Sequence, residues 1–292
     1  MATATETRAT AATARPPRAR RASAIRVARV IWYREVLTYF RDRTRFVVSM
    51  VMPVLMLVVF GGGFSRTIGT FQEGINYRQF IFPGLIAMTI LFNALFSGVS
   101  IIWDREFGFL REILVAPTSR TAIAAGKLTG GASIAVAHGV AMFIFAPFLG
   151  VHFSVLVMLE LTGVMFVFGL AMTSVGIAIA SRVHSMQTFQ IITQTTIMPA
   201  LFLSGIFFPV NNVPVWMEVL SKLNPVTYAV VPIRTISLGA ELNNVTLPSG
   251  TAPTVGVELF GHVLSTMESL GIMVAFGVLM LTIAVQSLRR EG

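Results

Sequence analysis

Six long, predominantly apolar runs divide this chain, and they constrain its fold more than any other feature. They extend from Phe46 to Phe64, Phe80 to Ile102, Leu128 to Leu149, Val155 to Ala180, Phe189 to Phe208 and Ser269 to Leu288. A bilayer's hydrocarbon core is about 30 Å thick and a helix rises about 1.5 Å per residue, so about twenty such residues make one crossing. The composition agrees: 54% of the 292 residues are hydrophobic and 12% charged, and the mean hydropathy is +0.76. That is far from soluble-domain usage. No alternating apolar and polar pattern of about ten residues recurs, which argues against a β-barrel. The expected fold is therefore an all-α membrane protein with six transmembrane helices.

Charge placement orients it. All but four of the 22 Lys and Arg residues fall in segments sharing a side with the N-terminus, the exceptions being Arg66, Arg78, Lys222 and Arg234. The bias predicts cytoplasmic termini. It also accounts for most of the formal charge of +9 without invoking nucleic acid. With no cysteine, structural disulfides and thiolate metal sites are excluded.

Residues 1–23, made largely of Ala, Thr, Arg and Pro, contain no signal-peptide core and read as a disordered basic cytoplasmic tail. Over 24–45 the pattern becomes helical. Ile25, Ala28, Ile31, Trp32, Val36, Tyr39 and Phe40 form a stripe, with Arg26, Arg29, Arg34, Arg41 and Arg43 between them. This predicts an interfacial amphipathic helix whose arginines meet anionic headgroups or a cytoplasmic partner.

Between the second and third runs lies a charged island, Trp103 to Arg120. Trp103, Phe107, Leu110 and Leu114 recur at helical spacing, with Asp104, Arg105, Glu106, Arg111 and Glu112 on the other faces, until Pro117 forbids continuation. Gly108 weakens a single straight helix. Gly126-Lys127 just beyond suggests a phosphate-binding loop, but the glycine required five residues earlier is Thr121 and the Ser or Thr required next is Leu128. Lys127 reads instead as a snorkelling anchor.

Polar residues inside the spans are few. Asn93, Gln190 and Gln194 could line a path or pack against neighbouring helices. His138 and Glu160 read first as packing and boundary residues, and second as a proton relay or cation contact. Gly126 and Gly130, then Gly163, Gly169 and Gly176, permit close helix packing. After the fifth run, Val213, Trp216, Met217, Leu220 and Leu223 form another stripe, and 227–238 is apolar apart from Arg234. These predict two elements dipping back into the outer leaflet, followed by an open loop over 239–258.

The segments DREFGFLREILVAPTSR, SGIFFPV, VPVW and LNPVTYAVVPIR, in this order among the spans, resemble the ABC-type-2 exporter permeases, most closely the daunorubicin-resistance branch. The resemblance covers nearly the whole chain from Ala24, making residues 46–292 the permease domain. It implies a non-enzymatic half-transporter in a bacterial cell membrane, pairing with a second permease chain and with separate ATPase subunits that bind ATP and Mg. No cofactor is implied on this chain. It further implies a cytoplasmic coupling helix, with Asp104, Arg105, Glu106, Gly108, Arg111 and Glu112 against the ATPase and Arg34, Glu35 and Arg41 beside them. The implied cargo is an amphiphilic drug or a lipid. The residues leave open a proton-driven secondary transporter or channel, for which a carboxylate pair or an inverted repeat would be expected, and a membrane scaffold.

Overall fold

The computed structural model describes residues 23–64, 70–72, 75–107, 119–208, 213–242, 258–259 and 262–290. Most of the basic tail, Gly108, Leu110, Arg111, Glu112, Leu114 and most of the 239–258 loop lie outside the described residues.

Among the described residues the fold is helical apart from two short hairpins, β1 (Thr70–Gln72) with β2 (Ile75–Asn76) and β3 (Glu258–Leu259) with β4 (His262–Val263). In order come α1 (Ala24–Arg41), α2 (Arg43–Met56), α3 (Tyr77–Phe96), α4 (Val99–Glu106) and α5 (Arg120–Met142). They are followed by α6 (Val155–Ala180), α7 (Met186–Phe202), α8 (Val215–Leu223), α9 (Thr227–Leu242) and α10 (Thr266–Arg290). A π-helical stretch, Leu57–Phe64, extends α2 beyond Pro53, and a 3₁₀ stretch, Phe143–Leu149, extends α5.

Five helical segments among the described residues are long and apolar enough to cross a membrane: Arg43–Gly63, Tyr77–Glu106, Thr121–Leu149, Val155–Ala180 and Thr266–Ser287. The fifth expected span differs. Its helix, α7, has 17 residues and stops at a turn containing Gly205, whose φ of 80° is left-handed, so the apolar residues after it do not extend the rod. The second span is longer than expected, because the helical path continues through a turn at Ser97–Gly98 to Glu106. The first four residues of the charged island therefore prolong a span rather than begin a separate surface helix.

The centre is α3, buried over most of its length and packed on α5 and α6. Lipid tails are as apolar as Leu, so close backbone approach through small residues holds such helices together. Gly98 and Gly176 lie where the α3–α4 turn crosses α6; a Cβ on Gly98 would collide with the Gly176 carbonyl, and one on Gly176 with the Leu95 carbonyl. Thr266–Arg290 lies along α6, and α2 at the edge.

At the end of the bundle away from α1, Val215, Trp216, Leu220 and Leu223 of α8 are exposed. By contrast, α9 packs against α3, α6 and α10. Its Arg234 is 3% exposed. Nη2 donates to the Gly205 carbonyl at 2.7 Å, and the guanidinium lies 3.9 Å above the Phe80 ring. This ties the turn after α7 to the start of α3.

Candidate functional site

Half of the apolar stripe expected to rest on lipid instead packs on protein. Ala28, Ile31 and Trp32 of α1 face α5, where Gly126 and Gly130 remove the side chains that would keep the helices apart. A Cβ on Gly126 would stand 2.7 Å from the Ala28 carbonyl oxygen, and one on Gly130 2.9 Å from Glu35 Cβ. Trp32 Nε1 donates to Ser133 Oγ at 3.0 Å. Ile25, Val30, Tyr33, Leu37 and Phe40 remain exposed.

This close docking buries a four-charge cluster. The side chain of Lys127 on α5 is 4% exposed, which corrects its reading as a snorkelling anchor. Its Nζ donates to Glu35 Oε1 at 2.8 Å and to Ser100 Oγ at 3.1 Å, and makes an ion contact with Asp104 Oδ2 at 2.6 Å. Arg34 Nη2 donates to Asp104 Oδ1 at 2.7 Å and reaches Glu35 Oε1 at 3.4 Å. Two cations thus neutralise two carboxylates. Burying any of the four alone would carry a desolvation penalty of several kcal/mol, so each is retained through its partners. The cluster joins α1, the end of the second span and the start of α5.

A second polar group lies beside it. His138 is fully buried; its Nδ1 is 2.8 Å from the Ile134 carbonyl, which can only accept, so Nδ1 carries the proton. Nε2 faces Ser49 Oγ at 2.7 Å and Tyr39 Oη at 3.1 Å. Nearby, the Arg45 guanidinium lies 4.8 Å from the Tyr39 ring centroid and 5.2 Å from that of Trp103, within cation–π range.

The charge cluster, Tyr39, Ser49, Arg45 and Trp103 border a cavity of about 650 Å³ between α1–α5 and the start of α7. Its lining includes the charged Arg45, Asp104 and Lys127 and the apolar Met52, Met88, Phe92 and Phe96. Such a volume and lining suit a drug-sized amphiphile. Asn93 and Gln190 are on its wall, and Asn93 Nδ2 donates to the Thr89 carbonyl at 2.9 Å.

The residues singled out from sequence are distributed as follows. Arg34, Glu35 and Asp104 meet in the charge cluster, with Asp104 turned inward. Arg105 Nη1 donates to the Val183 carbonyl at 2.8 Å, in the link between α6 and α7. Glu106 and Arg41 are exposed. Gln194 is on the exposed side of α7, one turn beyond Gln190, and Glu160 is exposed on α6. The roles of Lys127, Arg45, Tyr39 and Trp103 around the cavity were not anticipated. A signal for Lys127 was present in Gly126 and Gly130, because a lysine within a small-residue stripe sits at a helix contact. Among the described residues, no group of three or more His, Asp or Glu side chains is arranged to hold a metal ion.

The family profile for ABC-2 type transporters matches residues 26–238. The inner membrane transport permease YadH of Escherichia coli is 30% identical over 223 residues, covering 74% of this chain and 84% of its own. Nodulation protein J of Rhizobium leguminosarum is 27% identical, covering 75% and 85%. The ycf38 protein of Cyanophora paradoxa is 31% identical over 64% of this chain, which spans 65% of that relative's length. Members of this family normally work with an ATPase subunit. The match extends from the third residue of α1 through most of α9 and so contains the cavity and its charge cluster: the chain belongs to the ABC-2 type transporter family.

Proposed function

We propose that the chain is the transmembrane subunit of an ATP-driven exporter that moves an amphiphilic drug or lipid-like cargo outward. A separate ATPase binds ATP and Mg and docks on the segment that begins at Asp104. In this reading α7 is the fifth of six spans, both termini are cytoplasmic, and α8 and α9 enter the outer leaflet. The exposed α7 face with Gln190, Gln194 and Thr196 is covered by a second permease chain or lines the path between two, because polar groups at membrane depth need protein or water beside them.

The observation that carries this reading is the charge cluster. Asp104 is both a buried acid at the start of the island and the partner of Arg34 and Lys127. Displacing the segment after Glu106 pulls on α1 and α5 together, and these form the cavity wall. Rigid elements coupled through a buried ionic contact transmit such a displacement as a two-state rearrangement. Glu106, exposed at the end of α4, faces the ATPase.

The test is purification of the chain from native membranes. An ABC ATPase that co-purifies, and whose hydrolysis depends on the permease, supports the reading; a chain that moves cargo with no ATPase bound contradicts it. The orientation is checked with single cysteines, since the chain has none of its own: a label placed at residue 12 or 291 reacts from the cytoplasmic side. The buried His138 with Tyr39 and Ser49 favours a second reading, a proton-driven carrier, in which ATP is dispensable.

A further inference from the structure

Among the described residues, five charged side chains line the cavity: Arg34, Glu35, Arg45, Asp104 and Lys127. Four of them neutralise one another in the cluster. Arg45 is outside it. Its backbone N–H, not its guanidinium, is the group bonded to Asp42 Oδ1, at 3.0 Å, and no carboxylate of a described residue is within ion-pairing distance of the guanidinium. The guanidinium is held instead against Tyr39 and Trp103. Stacking fixes a guanidinium plane while leaving its edge N–H groups free to donate, which is the arrangement that receives a phosphate or carboxylate. The guanidinium covers the Tyr39 and Trp103 rings, the two cavity-lining aromatics that bear a polar tip. The described lining is therefore net positive, and its apolar Met52, Met88 and Phe92 lie about two or more helical turns along α2 and α3 from Arg45 and Asp104.

From this we infer that the cavity selects an anionic amphiphile, with its phosphate, sulfate or carboxylate headgroup on Arg45 and its apolar part against Met52, Met88 and Phe92. The inference rests on the cavity being the cargo site and narrows the cargo class to anions. The shared chemistry has two sources: an anionic lipid entering from the bilayer, or an anionic amphiphile arriving from the aqueous phase.

The experiment measures binding by the full-length chain in phosphatidylcholine nanodiscs, without ATPase or nucleotide, with partition into empty nanodiscs subtracted. Three fluorescent single-chain probes are compared: NBD-lysophosphatidylglycerol (anionic), NBD-lysophosphatidylcholine (zwitterionic) and 12-(NBD-amino)dodecylamine, whose free terminal amine is protonated (cationic). Hydrogen bonds to a charged group contribute about 1.5–3 kcal/mol, so the anionic probe binds about tenfold tighter or more than the other two. Arg45→Gln abolishes that preference and Arg45→Lys retains part of it. Met52→Trp, which fills the apolar region, weakens the anionic probe about tenfold and keeps the test valid if Arg45→Gln does not fold. Equal affinities for the three probes, an unchanged preference in Arg45→Gln, or unchanged binding in Met52→Trp would each overturn the inference. Replacing phosphatidylcholine by phosphatidylglycerol then assigns the source: competition identifies a bilayer lipid, and its absence an aqueous amphiphile. Since no ATP is involved, failure here leaves ATP-coupled transport standing, and failure of ATP coupling leaves the binding result standing.

Discussion

Replacing Lys127 by Met retains the length of the side chain and deletes its charge. Its Nζ lies 2.8 Å from Glu35 Oε1 and 2.6 Å from Asp104 Oδ2, and those acids are 13% and 10% exposed. After the substitution both carboxylates share Arg34 alone, leaving one uncompensated negative charge in a nearly dry site. Removing one partner of a buried pair costs about 3–5 kcal/mol. Arg34 is 35% exposed and still compensates in part, so the low end applies, about 3 kcal/mol. Asp104→Asn leaves an excess cation, which Arg34 relieves by turning to water, and costs about 2 kcal/mol. The double substitution leaves the neutral pair Arg34–Glu35, so its cost falls short of the sum by about 2 kcal/mol, within the range of coupling between contacting residues. Reversible denaturation in mixed micelles of the wild type, both single variants and the double variant measures all three quantities. Single costs below about 0.5 kcal/mol, the level of ordinary surface substitutions, or strict additivity, would refute the buried cluster.

The crossing of the α3–α4 turn and α6 predicts that Gly176→Val, whose side chain meets the Leu95 carbonyl, lowers stability by about 3 kcal/mol. Gly163→Ala, with nothing within 4 Å of its new methyl group, gains up to about 1 kcal/mol; thermal unfolding of the pair checks both signs. Arg234→Lys keeps the charge but cannot stack on Phe80 while donating to Gly205, so it is destabilised by about 2 kcal/mol; a midpoint equal to wild type would contradict that. Burial holds the Tyr39 phenol above its ordinary value of 10.0, with the Ser49 hydrogen bond opposing the shift. The folded state therefore keeps this proton after the unfolded chain loses it. The resulting stabilisation is complete below pH 10 and lost as pH rises through the folded value. Tyr39→Phe lacks this loss, so its stability difference from wild type is constant below pH 10 and shrinks above it.

Much of the bundle was legible because membrane burial writes long apolar runs. Val155 to Ala180 is both an expected span and the observed α6, and the small residues Gly126 and Gly130 marked a real close contact. Periodicity locates an apolar face without identifying what covers it. The α1 stripe thus read as lipid-facing although Ala28, Ile31 and Trp32 pack on α5. Lys127 sits near a helix end, where a snorkelling lysine is expected, and its partner Glu35 is 92 residues away, beyond any local pattern. The shortness of α7 depends on one positive φ, at Gly205, within a run whose hydropathy continues past it. Asp104 reads from sequence only as one of six residues facing an ATPase; its inward orientation depends on α4 prolonging the second span.

The central claim is that ATP on a partner subunit drives transport through this chain. Cargo efflux from cells expressing the chain with its ATPase is followed under two treatments, ATP depletion with the proton gradient maintained and an ionophore with ATP maintained. The account predicts that efflux stops in the first and persists in the second; efflux that survives ATP depletion and collapses with the ionophore would contradict it.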